Sequence, residues 1–401
     1  MHLTKIFDKI FNSELFGGIF MMVAAVLSII LANTDFHRPI LHFFETDLYA
    51  GVGQFRFSRS LEWWINDVFM VFFFLHIGLE LKSEMKEGFL KDIKQIFIPA
   101  LSAIGGMICP AIIYILFNLQ TPKYLNGWAI PTTTDIAFAV CVLMLAGKTV
   151  SHSVKVFFLA VAIFDDLGAI LIIALFYNQG VAIDMIGYAV LVCFALYGLN
   201  KLRITWFAPY LLLGYALWYC FLNGGIHTTM AGVVTAMAYP MRVTNKTYSP
   251  LKNLNNILKK WVDFVVLPIF AFASAGVYLG DVTLHSLAHP VTLGIMIGLF
   301  LGKQIGIYAT TWLMLKIGWA HFSKDVKLID IYGASCIAGI GFTMALFVGK
   351  LSLPMSVQPE IKIGILCASV LSALWGATVF QWKAHQLSIR RTTNAISNRQ
   401  P

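Results

Sequence analysis

The sequence predicts an all-α polytopic membrane protein with twelve transmembrane helices. Of the 401 residues, 58% are hydrophobic and only 12% are charged, whereas a soluble domain has about 25% charged residues. The mean hydropathy is +0.76. Apolar residues are gathered in runs of roughly 20, the length that spans a bilayer as a helix. The segments between these runs are alternately rich and poor in lysine and arginine, as the loops of a multi-pass protein are.

Twelve apolar segments carry this prediction, each identified from hydropathy along the chain. They are residues 15–33, 61–81, 96–117, 127–146, 156–176, 181–199, 204–221, 224–240, 261–280, 290–315, 329–349 and 363–382. We expect residues 1–401 to form a single transmembrane domain that ends in a cytoplasmic tail, residues 383–401. The six cysteines all lie inside apolar segments without metal-ligand spacing, so we expect them to be packing residues.

The distribution of basic residues predicts the orientation of the chain. With the N-terminus in the cytoplasm, 22 of the 29 lysines and arginines lie on the inner side and six on the outer side. The inner ones are Lys5, Lys9, Lys82, Lys86, Lys91, Lys94, Lys148, Lys155, Lys201, Arg203, Arg242, Lys246, Lys252, Lys259, Lys260, Lys316, Lys324, Lys327, Lys383, Arg390, Arg391 and Arg399. The outer ones are Arg38, Arg56, Arg59, Lys123, Lys350 and Lys362. Both termini are therefore predicted to be cytoplasmic. The net charge of +9 then reflects membrane topology, and the lipid bilayer is the expected partner, with no nucleic acid and no soluble protein.

The longest outer loop, residues 34–60, contains a candidate β-hairpin at about 47–58. Gly51 and Gly53 separate two short runs, and the second run alternates polar and aromatic residues. An exposed hairpin edge can pair with its copy on another protomer, which predicts a homodimer. The alternative is an irregular loop that lies on the protein.

Four charged side chains lie at the middle of apolar segments. Asp165 and Asp166 are adjacent in Ala160-Val-Ala-Ile-Phe-Asp-Asp-Leu-Gly-Ala-Ile170, and Asp135 and Lys303 are central in two other segments. Charges at the bilayer centre are unfavourable and usually mark an ion or proton path. Since the four share one depth, we expect them to form one constellation. The alternative is a structural salt bridge that fixes helix register.

Two of the apolar segments are interrupted near their middle. Pro131 and the three threonines that follow it precede Asp135, and Gly339 and Gly341 loosen a later segment that also contains Thr343. Proline frees a backbone carbonyl, and irregular backbone at membrane depth is tolerated only inside protein or along a watery cavity. Two broken spans in corresponding places indicate a transporter with its site at the interface of two repeats. An acid and a base, here Asp135 and Lys303, can compensate the charges of half-helix ends.

The adjacent aspartates point in different directions, because neighbouring helical residues are about 100° apart around the axis. One can face a partner helix while the other faces a cavity. A carboxylate binds either a proton or a hard cation such as Na⁺ or Li⁺, so competition at one site predicts exchange without any cofactor. Two alternatives remain. One is a proton-coupled carrier for an organic anion, and the other is an intramembrane aspartyl protease, which needs two carboxylates that share a proton.

These motifs resemble the NhaA family of Na⁺/H⁺ antiporters. The resemblance rests on Pro-Thr-Thr-Thr-Asp135-Ile-Ala-Phe, on Ala-Ile-Phe-Asp165-Asp166-Leu-Gly-Ala and on the Gly-Lys303 segment, and it covers about residues 15–382. Further matches are Trp64-Ile-Asn-Asp67, Gly78-Leu-Glu-Leu-Lys82, Gly225-Ile-His227 and Leu267-Pro-Ile-Phe-Ala-Phe-Ala-Ser-Ala-Gly276. NhaA is a known example of inverted repeats. The resemblance implies a transporter domain in which helices 3–5 and 10–12 are repeats and the discontinuous helices 4 and 11 cross. It also implies electrogenic exchange in a bacterial inner membrane, serving pH and sodium homeostasis.

The resemblance also implies roles for individual residues. Asp166 and Asp165 would bind the cation and protons, Asp165 would form a salt bridge with Lys303, and Thr134 would assist near the cation. Asp135 and Lys303 would balance the half-helix dipoles. The residues implied in pH sensing are Glu80, Lys82, Glu84 and His227.

Two departures from the family pattern accompany the resemblance. Acidic and histidine residues are expected before Trp261, where this chain has Asn255, Asn256 and Lys259, so the family's pH response does not carry over to these positions. Proline is expected after Lys303, where this chain has Gln304.

Overall fold

A computed structural model describes residues 14–52, 55–88, 93–146, 150–178, 180, 182–241, 249–281, 283–319 and 326–397. Several predictions concern residues outside these ranges. They are the N-terminal segment before Glu14, the turn of the hairpin at 53–54, the end of the tail at 398–401, and the basic residues Lys91, Lys148, Arg242, Lys246 and Lys324.

The regular secondary structure of the described chain is helical apart from one hairpin. The helices before residue 230 are α1 (Glu14–Ala32), α2 (His37–Glu45), α3 (Leu61–Glu87), α4 (Ile93–Asn118), α5 (Ile136–Leu145), α6 (His152–Phe176), α7 (Ile183–Lys201) and α8 (Phe207–Gly224). Those that follow are α9 (Met230–Ala238), α10 (Pro250–Trp261), α11 (Leu267–Ala275), α12 (Leu284–Ala288), α13 (Pro290–Ile317), α14 (Leu328–Ile337), α15 (Phe342–Ser352) and α16 (Gln358–Ser397). Short 3₁₀ helices span Pro122–Thr132, Leu279–Asp281 and Met355–Val357, and π-helical turns span Ile65–Phe69, Val262–Val266 and Gly298–Gly302.

The predicted polytopic, all-helical membrane architecture is confirmed. Within the described residues, seven helices are long and apolar enough to cross a membrane, or nine if each of two bent helix pairs is one span. The bent pairs are Pro122–Thr132 with α5, at 47°, and α14 with α15, at 49°. Both bends lie where the sequence predicted an interruption.

The predicted segments 204–221, 224–240 and 261–280 contain helices that are too short or too polar to qualify as spans by themselves. The prediction was least accurate for 224–240, where the helix is only Met230–Ala238. Gly225 ends the preceding helix α8 with φ of 75°, a left-handed conformation that glycine adopts readily. Residues 225–229 are consequently not helical.

By internal packing the chain divides into two compact units, and the division falls inside α6. Unit 1 comprises Met1–Ile93 and Asp166–Val282, and unit 2 comprises Lys94–Asp165 and Thr283–Pro401. In unit 1, α1 packs on α11, α3 on α9 and α10, and α7 on α8. In unit 2, α16 packs on α13, α14 and α15, and α15 also packs on the 3₁₀ helix Pro122–Thr132.

The hairpin lies in unit 1. Strand β1 (Asp47–Val52) pairs with strand β2 (Phe55–Ser60) in an antiparallel register that places Asp47 opposite Ser60 and Val52 opposite Phe55. Ser60 then accepts a hydrogen bond from the backbone N–H of Trp63 at 3.2 Å and caps the first turn of α3. The hairpin is thereby continuous with a membrane-spanning helix.

Candidate functional site

The first interruption is stabilised by its own threonines. The Thr132 and Thr133 hydroxyls donate to the carbonyls of Ala129 and Ile130 at 2.7 and 3.1 Å. These carbonyls lie at the C-terminal end of the 3₁₀ helix that contains Pro131, where backbone acceptors have no helical partner. The interruption is therefore satisfied internally, although it is buried.

The two interruptions contact each other within unit 2. The Asp135 N–H donates to the Ile340 carbonyl at 2.7 Å, and the Thr134 hydroxyl lies 2.8 Å from the Ala338 carbonyl. Gly341 is so close to the other break that a Cβ on it would lie 3.2 Å from the Thr133 carbonyl oxygen. Hence the unwound backbone of each segment is paired with that of the other.

Asp135 accepts hydrogen bonds from the N-terminal ends of two helices. Its Oδ1 accepts the N–H of Phe138, in the first turn of α5, at 3.0 Å. Its Oδ2 accepts the N–H of Thr343, in the first turn of α15, at 2.9 Å, and also the Thr343 hydroxyl. A carboxylate at a helix N-terminus is favourable because the free N–H groups carry partial positive charge. One buried side chain thus caps both half-helices.

Asp165 and Lys303 form an ion pair in which both side chains are fully buried. Oδ2 of Asp165 accepts from the Lys303 ammonium and lies 2.6 Å from the Thr134 hydroxyl. That hydroxyl has one proton, so it donates either to Asp165 or to the Ala338 carbonyl. Among the described residues, nothing pairs with Oδ1 of Asp165. Buried polar atoms normally have partners, so Oδ1 is the oxygen left for a proton or a cation.

Close packing of α13 against α4 places Lys303 in the interior of unit 2. Three glycines of α13 lie at four-residue spacing and face α4 or Pro131. A Cβ on Gly298 would lie 2.8 Å from Pro131, one on Gly302 2.7 Å from Pro110, and one on Gly306 2.2 Å from the Gly105 carbonyl oxygen. Small residues at this spacing let helix backbones approach closely in membranes. The sequence contains this stripe, and it was not used in the prediction.

Asp166 follows Asp165 on the same turn of α6 and is 4% exposed. The structure therefore places the predicted pair on one continuous helix, with both side chains buried. Of the other predicted site residues, Asp135, Thr134 and Lys303 lie with Asp165 in unit 2.

The residues predicted to sense pH belong to unit 1. Lys82 of α3 donates to the carbonyls of Met237 and Tyr239, at the C-terminal end of α9, at 2.5 and 2.7 Å. Glu80 is half-exposed, with a carboxylate oxygen 3.7 Å from His76 Nε2, and Glu84 is partly exposed on the same helix. A cation at a helix C-terminus is favourable, so Lys82 contributes to packing as well as charge.

His227 lies in the non-helical stretch between α8 and α9, and its Nδ1 is 2.8 Å from the Thr229 hydroxyl. The structure does not bring His227 together with the charged end of α3. Its neighbour Thr228 donates at 2.6 Å to Asp67, whose other oxygen accepts the Trp218 indole N–H at 2.9 Å. Asp67 belongs to a motif that matched the family but to which the sequence assigned no role. In the structure it links α3 to α8.

Three polar contacts were missed by the sequence-based prediction. His76, which is buried, places Nδ1 2.8 Å from Asn255 Oδ1, so a titratable side chain lies beside one of the departures from the family pattern. Gln304 accepts from the Tyr332 hydroxyl at 3.1 Å. A second buried lysine–aspartate pair joins Lys383 to Asp330. In each case the partners are far apart in sequence, and no local pattern indicates their contact.

The chain is similar over nearly its whole length to one group of proteins. The sequence model of the family described as Na⁺/H⁺ antiporter 1 matches residues 8–380. The Na(+)/H(+) antiporter NhaA of Pelagibacter ubique is 40% identical over 377 residues, which cover 94% of this chain and 97% of the relative. The protein of the same name from Pseudomonas fluorescens strain Pf-5 is 43% identical over 382 residues, 94% and 97% of the two chains. That of Rhizobium etli is 44% identical over 375 residues, 92% and 93%.

Proposed function

The chain belongs to the Na⁺/H⁺ antiporter 1 family, and on that premise we propose that it exports Na⁺ or Li⁺ in exchange for H⁺. It is a multi-pass membrane protein and a secondary transporter, not an enzyme, which removes the aspartyl protease alternative. The exchange serves sodium and pH homeostasis. It needs no cofactor, because the transported ions themselves occupy the site.

The observation that carries this proposal is the unpaired oxygen of Asp165. A fully buried carboxylate that is paired with Lys303 through Oδ2 has Oδ1 left for one further ligand. A proton satisfies this oxygen, and so does a desolvated monovalent cation, because hard cations prefer oxygen ligands. The two ligands exclude one another at the same atom, and that exclusion is the chemical basis of exchange.

Asp166 is the second ligand in this proposal. It is adjacent to Asp165 on α6 and buried, and its direction differs by about 100°. Asp165 holds Lys303 and exchanges that salt bridge for a proton, while Asp166 binds the cation and a proton in turn. More protons enter than Na⁺ ions leave, so the exchange is electrogenic. The site opens alternately to the two sides of the membrane.

Asp135, Thr134 and Lys303 support the site. Asp135 compensates the positive ends of α5 and α15 through the hydrogen bonds described above. Lys303 compensates negative helix ends, and Thr134 assists at the cation. We further propose twelve spans, numbered in the order of the predicted segments. Spans 3–5 (residues 96–117, 127–146 and 156–176) and spans 10–12 (residues 290–315, 329–349 and 363–382) are inverted repeats, and the discontinuous spans 4 and 11 cross.

The remaining features are proposed from the family and the charge pattern. The protein lies in a bacterial inner membrane with both termini in the cytoplasm. It forms a homodimer through the hairpin at about 47–58, which deletion of these residues and measurement of mass in detergent will test. Glu80, Lys82, Glu84 and His227 adjust the pH response.

Exchange is tested in everted vesicles that contain a pH-sensitive dye. An imposed proton gradient quenches the dye, and NaCl or LiCl is added over a pH series from mildly acid to mildly alkaline. We expect cation-driven dequenching that Asp166→Asn abolishes. The matched control is Asp184→Asn, an exposed aspartate at the start of α7, which should retain dequenching.

Competition also predicts the direction of the pH effect. Each competing proton raises the apparent KM for Na⁺ by about tenfold per pH unit of acidification, with little change in the maximal rate. Absence of dequenching with the intact chain contradicts the exchange. A KM independent of pH contradicts competition at a shared carboxylate.

A further inference from the structure

Unit 1 contains an apolar cavity that the proposed exchange does not use. Helices α3, α8 and α9 enclose a volume of about 130 Å³. An engineered apolar cavity of about 150 Å³ in another protein stays free of water and binds benzene or xenon. The present cavity is therefore large enough for several carbon atoms and too apolar to hold water favourably.

Aromatic side chains fix part of the cavity wall. Trp218 of α8 lines it, and its indole N–H is held by Asp67 at 2.9 Å. Tyr215, also in the lining, stacks on Trp218 with ring centroids 5.5 Å apart and an interplanar angle of 23°. A wall held by a hydrogen bond and a ring stack is preformed, which favours binding because little order must be gained.

The cavity opens at the exposed face of α8. Leu211 and Tyr215 belong to its lining and are 43% and 59% exposed. Their helix, Phe207–Gly224, overlaps the apolar segment 204–221, which we proposed above as one of the spans. The exposed face of such a helix is covered by lipid acyl chains, so these chains are the molecules present at the opening.

We propose that the acyl chain of a membrane phospholipid inserts its end into this cavity. None of the described residues that line it is charged, and Thr235 is the one lining residue with a polar side chain that is not aromatic. A polar ligand would find few partners there, whereas a hydrocarbon gains dispersion contacts that an empty space lacks. The proposal does not depend on the exchange reaction.

The test uses the full chain reconstituted in phospholipid vesicles, part of whose acyl chains are brominated. Bromine quenches tryptophan fluorescence on contact, and Trp64 and Trp218, two of the ten tryptophans, line the cavity. Val68→Phe fills the cavity from α3 and should reduce the quenched fraction by up to about a fifth, if all tryptophans contribute equally. Leu211→Phe narrows the opening from an exposed position, where folding is not at risk, and should reduce quenching less.

The matched control is Val190→Phe on α7, at a residue that is 46% exposed and does not line the cavity. It should leave quenching unchanged, as should Thr235→Val, because an acyl chain does not use the hydroxyl. Equal quenching in the wild type, Val68→Phe and Leu211→Phe overturns the proposal. A rise in quenching with Thr235→Val also overturns it, since a polar molecule held by the hydroxyl would then have kept acyl chains out of the wild-type cavity.

Discussion

Among the described residues of unit 2 there are two buried aspartate–lysine pairs, and they differ in the carboxylate oxygen that does not contact lysine. In the first pair, Asp165 accepts from Lys303 through Oδ2, and nothing among the described residues pairs with Oδ1. In the second pair, Asp330 accepts from Lys383 through Oδ1 and from the Lys327 backbone N–H through Oδ2, at 3.0 Å. Both oxygens of the second carboxylate have a protein partner, whereas Oδ1 of the first has none among the described residues.

On this difference we base the proposal that the first pair takes part in binding and the second is structural. The Asp330 pair closes the start of α14 against α16, where a carboxylate also caps the first turn of its helix. Both of its oxygens already have a protein partner. The Asp165 pair lies beside two interrupted helices and keeps one oxygen available. Burial and ion pairing are common to both, so neither identifies the site without an inventory of hydrogen bonds.

The largest expected effect separates the pairs directly. Asp165→Asn should abolish cation-driven dequenching. It also leaves Lys303 buried without a counter-charge and should lower the free energy of unfolding by about 3–5 kcal/mol. Asp330→Asn should cause a comparable loss of stability but retain at least half of the exchange rate per folded molecule.

The measurements are dye dequenching in vesicles and thermal unfolding in detergent, with the amount of folded protein determined by size-exclusion chromatography. If folded Asp330→Asn is inactive, the structural interpretation of the second pair is wrong. If Asp165→Asn exchanges normally, the binding interpretation of the first pair is wrong.

The sequence placed Asp165 and Lys303 in one constellation, and the family resemblance implied their salt bridge, whereas nothing indicated the second pair. The reason is depth. Asp165 and Lys303 stand at the centre of apolar segments, where a charge needs an explanation. Asp330 and Lys383 stand at the ends of the predicted apolar segments 329–349 and 363–382, where charged side chains usually reach into water. Their contact depends on how α14 packs on α16, which a single sequence does not encode locally.

The fold was predictable to a similar extent. Hydropathy located the helical segments, and Pro131 and Gly339 located the two interruptions. Hydropathy missed the extension of α3 to Glu87, because this part is polar and is held by Lys82, which donates to carbonyls of α9. It also missed the π-helical turn Gly298–Gly302 that precedes Lys303, because such turns depend on tertiary packing.

In a second test, both residues of a pair are replaced together. The double variant Asp330→Leu with Lys383→Met should have a free energy of unfolding within about 1–4 kcal/mol of the wild-type value. That free energy should exceed the wild-type value if repacking is good, because apolar residues often substitute for a buried ion pair. Lys383→Met alone should lose about 3–5 kcal/mol, since Asp330 would then be buried without its cation. The double variant should retain exchange.

The corresponding replacement of Asp165 and Lys303 by Leu and Met should also be folded, because the Thr134 hydroxyl can donate to Ala338 instead. It should show no exchange. Thermal unfolding midpoints of the single and double variants give the coupling energy of each pair. Exchange by the Asp165/Lys303 double variant would contradict a role of the first pair in exchange.

In a third test, one substitution displaces the first pair and leaves the second in place. Gly306→Ala puts a Cβ 2.2 Å from the Gly105 carbonyl oxygen, so α13 must separate from α4. We expect a loss of about 1–3 kcal/mol in stability and weaker Na⁺ affinity, because Lys303 lies on the displaced helix. The Lys383 pair joins α14 to α16 and should be unaffected.

The matched control is Gly198→Ala on α7, where an added Cβ would have nothing within 4 Å. It should be neutral or stabilise the helix by up to about 1 kcal/mol. The readouts are the unfolding midpoint and the KM for Na⁺. Equal behaviour of the two variants would show that the glycine stripe does not position Lys303.

The smallest expected effect concerns the hydroxyl beside the lysine-paired oxygen of Asp165. Thr134→Val removes the group that lies 2.6 Å from Asp165 Oδ2 and 2.8 Å from the Ala338 carbonyl. Loss of one such bond costs about 0.5–1.5 kcal/mol, so Na⁺ affinity should fall by about twofold to tenfold. Thr378→Val is the control, because its hydroxyl bonds only locally, to the Trp375 carbonyl at 2.7 Å, in an exposed position. An unchanged KM for Na⁺ in Thr134→Val means that Asp165 binds its ligand without this hydroxyl, and the distinction between the two pairs then rests on Oδ1 alone.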